Sequence, residues 1–243
     1  MKRKNVFMII LLTVLLAFGC TMPDVTQNKQ EETWPLDGIT LKKAKQPNVE
    51  AFPGTYIRSD DLSLTMEAVS LKEDGTAIGV PYAQLNGLAS LKPMRKGTWQ
   101  ATEDTKLFVL KFPDTIYGGE YLPYKSNGKI VGFGFNAPNL HTTEYFYKMS
   151  DQTIDANSYN RKSFSGLFAA EDDYGDLFGM EFFENGKMIF YSTDRKTVNY
   201  RYKLSPGKPL LKTINESGNE VEYNYILFPS TLILNGAIFQ KVR

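Results

Sequence analysis

The chain has 243 residues, one cysteine, one histidine and a formal net charge of +1. A single cysteine excludes an intrachain disulfide framework and a multi-cysteine zinc site, and a single histidine excludes a His-rich metal centre. Near-neutral charge argues against a nucleic-acid partner, which needs a basic face to neutralise phosphates. With 42% hydrophobic and 23% charged residues the composition is that of an ordinary globular protein, and 16 Phe with 14 Tyr favour strands.

Lys2, Arg3 and Lys4 precede an apolar run over 6–18 in which only Thr13 is polar. A charged start and a run this short have the form of a signal peptide, not of a membrane-spanning helix. The run ends in Ala17-Phe18-Gly19-Cys20, which resembles the lipobox of bacterial lipoproteins, with Ala17 in place of the usual Leu. That resemblance implies cleavage before Cys20 and lipidation of its thiol, with an N-acyl chain such as palmitate. Each buried CH₂ contributes roughly 0.8 kcal/mol, so several chains anchor the protein permanently. The expected location is a membrane of the bacterial envelope, the outer membrane or cell surface ahead of the cytoplasmic membrane. Loss of 1–19 removes three positive charges and leaves a formal −2.

From Thr21 to about Glu50 the chain is polar, punctuated by Pro23, Pro35, Gly38 and Pro47, and without an apolar period. Residues 20–50 therefore read as the lipidated end and a flexible tether, in which Trp34 and the Ile39 and Leu41 pair are the candidates for docking on the body.

Beyond Phe52 the period is two. Val198, Tyr200, Tyr202 and Leu204 alternate with polar residues, as do Val221, Tyr223, Tyr225 and Leu227, with Ile226 breaking the polar side. In Val131-Gly132-Phe133-Gly134-Phe135 one face is apolar and the other carries glycine. Asp74-Gly75, Asn127-Gly128, Asn185-Gly186 and Asn235-Gly236 are hairpin turn signals. No helical stripe interrupts them, so the fold class is all-β.

The pattern repeats. Gly54-Thr55-Tyr56 leads to Glu73-Asp74-Gly75, and Gly166-Leu167-Phe168 leads to Glu184-Asn185-Gly186 at nearly the same distance. Tyr145-Phe146-Tyr147-Lys148 ends one copy and Ala237-Ile238-Phe239-Gln240-Lys241 the other. Two domains follow, 51–150 and 163–243, with a polar linker over 151–162. Each offers about eight short strands, enough to close an antiparallel meander barrel. This layout is similar to the lipocalin-like domains of bacterial lipoproteins. Gly54-Thr55-Tyr56 and Gly166-Leu167-Phe168 stand where lipocalins carry Gly-x-Trp, while Gly97-Thr98-Trp99 has the triplet in mid-domain. The resemblance implies a ligand-binding barrel, although barrels this small are just wide enough for side chains to fill.

Residues able to carry chemistry are few. His141 has no Gly-x-Ser-x-Gly partner and reads as a loop histidine. Glu171-Asp172-Asp173-Tyr174-Gly175-Asp176 is the densest acidic cluster; it lacks the spacing and helices of a calcium loop and reads as a solvated hairpin tip, with Asp60-Asp61 at the matching place in the first copy. Asn215-Glu216-Ser217 is an incidental glycosylation pattern, and Gly132-Phe133-Gly134 has no following helix to bind phosphate. Tyr145 and Tyr147 share one strand face and Phe146 the other, so one set lies outside the core or in a cavity. No metal and no cofactor are expected. The expected function is binding rather than catalysis: an apolar small molecule or lipid in a barrel mouth, or a protein partner on an aromatic face. A structural spacer and a carboxylate-based hydrolase are the alternatives, since the 27 acidic residues offer many pairs without singling one out.

Overall fold

The computed structural model describes residues 33–43, 45–60, 65–84, 93–137 and 142–243. The signal peptide, Cys20, His141 and Asp61 lie outside the described residues.

The all-β reading holds. The first unit is a meander of nine strands: β1 (Gly54–Asp60), β2 (Thr65–Leu71), β3 (Thr76–Gln84), β4 (Arg95–Thr102), β5 (Leu107–Lys111), β6 (Ile116–Glu120), β7 (Leu122–Ser126), β8 (Lys129–Ala137) and β9 (Thr142–Ser150). Its order is β6-β5-β4-β3-β2-β1-β9-β8-β7, all antiparallel. Here expectation and structure differ, because the unit has nine strands and its ladder stays open. The terminal strands β6 and β7 are joined only by Tyr121, and Gly119 on β6 packs against Phe135 and Asn136 of β8. The sheet therefore curls into a half-barrel, called the first barrel below, with β6 packed on β8.

The second unit closes. Strands β10 (Gly166–Glu171), β11 (Leu177–Phe182), β12 (Lys187–Tyr191), β13 (Thr197–Leu204), β14 (Leu210–Asn215), β15 (Glu220–Phe228), β16 (Thr231–Leu234) and β17 (Ala237–Lys241) form an eight-stranded barrel. Phe168 pairs with Lys241 and Ala169 with Gln240 at the closure. The turns follow their residues. Asn127-Gly128 and Asn235-Gly236 have positive φ at both positions, whereas Asp74-Gly75 and Asn185-Gly186 need it only at glycine. In the latter pair the Asp74 and Asn185 side chains accept from the backbone N–H two residues on.

The repeat is physical. Gly54 and Gly166 share an unusual φ, +141° and +138°, and each lies against the side chain of the lysine ending its unit, Lys148 or Lys241. Two residues earlier, Phe52 and Phe164 each plug one barrel end. Phe52 packs on Trp99, Phe108, Tyr121 and Phe133, and Phe164 on Phe168, Phe182, Tyr202 and Tyr225.

The expected tether and linker are partly folded onto the barrels. Leu36 is buried with Leu167, Ala169 and Tyr191 on the outside of the second barrel, and Trp34, Ile39 and Leu41 pack around them. Isolated anchors with no periodic spacing explain why this segment reads as a tether. In 151–162, Ile154 and Tyr159 are buried, Ala156–Asn160 forms a 3₁₀ helix, and the Ile154 N–H donates to Ser70 Oγ at 2.8 Å. Ala68, Ile78 and Val80, outward-facing on β2 and β3, join the same apolar cluster as Ile226 and Ile233. Tyr82 Oη donates to the Gly236 carbonyl at 3.1 Å. The break in the polar face at Ile226 is thus the contact between the two units.

Candidate functional site

The two interiors differ. The second barrel is filled by Phe168, Phe178, Met180, Phe182, Met188, Phe190, Tyr202, Leu211, Tyr223, Leu232 and Phe239, all buried. In the first, the end near Phe52 is apolar and the other end mixes rings with charge. There Tyr56, Phe108, Phe133 and Phe146 pack ring on ring, and Lys148 Nζ, fully buried, donates to the carbonyls of Asn48 and Ala51 at 2.5 Å each. That ammonium ties down the segment carrying the Phe52 plug.

At the opposite end the inward positions of four strands carry charge. On β1 the inward series is Tyr56 then Arg58, on β2 Glu67 then Val69 and Leu71, on β4 Arg95 then Gly97 and Trp99, and on β9 Glu144 then Phe146 and Lys148. Arg58 donates from Nε to Glu67 at 3.1 Å and from Nη1 to Glu144 at 2.8 Å. Arg95 donates from Nε and Nη2 to Glu67 at 2.5–3.0 Å, and from Nη1 to Asp114 at 3.1 Å. The guanidinium planes rest on rings, Arg58 4.7 Å from the centroid of Tyr117 and Arg95 4.1 Å from that of Phe112. Gly79 leaves the room this needs, since a Cβ there would collide with Glu67 Oε1. Burial is the largest single influence and works against the charged form of both arginines, but their partners together, Glu67 foremost, outweigh it and hold both more firmly protonated than usual.

Above this network lies a cavity of about 700 Å³, within the range of small-molecule sites. Its wall combines Arg58, Glu67, Arg95, Lys96, Asp114 and Tyr117 with Met66, Pro81, Pro93, Met94 and Pro113. An ion-paired floor under methionine and proline suits a ligand with a polar group and an apolar body.

The other expected residues fall elsewhere. Asp172 Oδ1 accepts from the backbone N–H of Tyr174 and Asp176, so it organises its own hairpin turn. Among the described residues no three acidic, histidine or cysteine side chains converge as a metal site would require. Phe146 points into the first barrel, while Tyr145 and Tyr147 face out over Gly134 and Gly132. Tyr145 pairs with Tyr124 at 5.2 Å between centroids, and Tyr147 is 46% exposed. Asn215 Oδ1 accepts from the Asn219 N–H within the β14–β15 turn. Glu67 and Glu144 converge at the floor of the mouth, below Asp114 on its rim, and both are engaged by Arg58.

No family model matches this chain, and no curated protein or solved structure shows significant similarity to it.

Proposed function

We propose that this chain is a lipid-anchored lipoprotein of the bacterial envelope that binds a small molecule in the mouth of its first barrel. The second barrel acts as a filled scaffold. The observation that carries the reading is the cavity of about 700 Å³ over the Arg58–Glu67–Arg95 network, in a barrel plugged by Phe52 at its other end. Binding is favoured over catalysis because the converging carboxylates spend oxygens on guanidinium N–H groups instead of facing a substrate. The anchor rests on the sequence around Cys20 alone.

Native mass spectrometry of the full chain, isolated from its own host in mild detergent, tests the binding reading. A bound mass of small-molecule size that is lost on denaturation is expected; a clean apo mass contradicts it. Cys20→Ser is expected to release the chain from the membrane fraction or leave its signal peptide uncleaved. Unchanged, processed and membrane-bound protein would remove the anchor.

A protein contact is the second reading. It is favoured by the outer face of the first barrel, where Tyr147, Leu122 and Ile116 are exposed near the terminal strands β6 and β7.

A further inference from the structure

Arg95 has two carboxylate partners of different standing. Glu67 sits in the wall with a side chain 13% exposed and takes the Nε and Nη2 edge. Asp114, on the connection between β5 and β6, is 62% exposed and takes Nη1 from the rim of the cavity. The ring of Phe112 under the guanidinium and the grip of Glu67 on Nε and Nη2 fix the direction in which Nη1 points. Charge is already balanced below the rim, where Arg58 and Arg95 face Glu67 and Glu144. Asp114 is an additional acid on that rim, and Lys96 an additional cation in the same wall. A carboxylate delivered by a ligand can therefore take over Arg95 Nη1 while the exposed Asp114 turns to solvent, and the added negative charge has Lys96 in the same wall as its counterion. With one partner exposed, this pair is also easier to exchange than the buried one with Glu67. An incoming ammonium would find a partner in exposed Asp114 but would face Arg58, Arg95 and Lys96.

We propose that the mouth takes a small carboxylate with an apolar body, whose carboxylate displaces Asp114 from Arg95 Nη1 while its body lies against Met66, Pro81 and Met94. Asp114 is a stand-in that keeps Arg95 satisfied in the empty site. The proposal rests on the reading of this mouth as a small-molecule site.

Isothermal titration of the full chain in nonionic detergent with hexanoate, hexylammonium and 1-hexanol tests it. Hexanoate is expected to bind at least about tenfold more tightly than the other two, since hexanol gains no charge-assisted bond and hexylammonium meets Arg58, Arg95 and Lys96 with like charge. Asp114→Asn, at an exposed position that leaves the fold intact, is expected to tighten hexanoate by severalfold by removing the internal competitor. Arg95→Gln is expected to abolish the preference for hexanoate over hexanol. Equal or tighter binding of hexylammonium or hexanol overturns the carboxylate assignment while leaving a binding mouth. Unchanged or weakened hexanoate binding in Asp114→Asn overturns the stand-in role. Failure of all three probes to bind overturns the proposal together with the small-molecule reading beneath it.

Discussion

Arg95 grips Glu67 along one edge of its guanidinium, with Nε 3.0 Å from Oε1 and Nη2 2.5 Å from Oε2. The same carboxylate accepts from Arg58, so one acid joins two arginines inside a barrel wall. All three side chains are 10–16% exposed, which makes loss of the shared partner costly. Glu67→Gln is expected to lower stability by about 3 kcal/mol in urea unfolding, the scale of breaking a buried ion pair. Asp114→Asn should fall close to wild type. Equal effects of the two substitutions would contradict this division of the network.

The two repeat glycines differ in what surrounds them. A Cβ at Gly54 would lie 2.5 Å from the Ser150 carbonyl oxygen, which is backbone, whereas at Gly166 the nearest atom is Lys241 Cε at 2.8 Å. Lys241 is exposed and can swing aside. Gly54→Ala is therefore expected to cost roughly 2 kcal/mol or more, combining backbone strain and collision, and Gly166→Ala clearly less. Thermal unfolding of both variants checks the order.

Removal of the Lys148 ammonium leaves the Asn48 and Ala51 carbonyls without their donor. Lys148→Met is expected to destabilise the protein by about 2 kcal/mol. It should also speed amide exchange around Phe52 selectively, as the plug loosens. Lys241→Met, at the equivalent but exposed position, should do neither.

Burial pushes the phenols of Tyr82 and Tyr223 up to about 12, from an ordinary value of 10.0. The folded protein thus holds protons that the unfolded chain releases from about pH 10. This stabilisation is complete below pH 10 and is lost as pH rises through 12. Alkaline titration at 295 nm is expected to show a cooperative late step that coincides with loss of structure. A smooth titration with the fold retained would contradict it.

Much of the fold was legible in period and punctuation. Val198 to Leu204 alternated because one face of β13 fills a barrel, and Asn127-Gly128 marked a turn because both residues take positive φ. Ile226 looked like an irregularity because contact between the two units is invisible to a single strand's period. The open seam at β6 and β7 was missed because closure is a property of the whole sheet. The cluster Arg58, Glu67, Arg95 and Glu144 was missed for another reason. Each residue looks like an ordinary polar position, and four strands far apart in sequence bring them together. A signal was present, since each sits two residues from an inward apolar, aromatic or glycine position, on the face that parity assigns to the core. The leading segment with Trp34 and Leu36 carried no such signal, because it docks through single anchors without secondary structure.

Ligand in the first barrel and not in the second can be read from four methionines. Met66 and Met94 line the cavity of the first barrel, while Met180 and Met188 are buried inside the second. Methyl spectra of the full chain, isolated from its host with [¹³C-methyl]methionine and compared before and after extraction of bound small molecules, separate the two sites. Shifts are expected at Met66 and Met94, with Met180 and Met188 unmoved. Shifts confined to Met180 and Met188, or identical spectra before and after extraction, would contradict ligand binding in the first barrel.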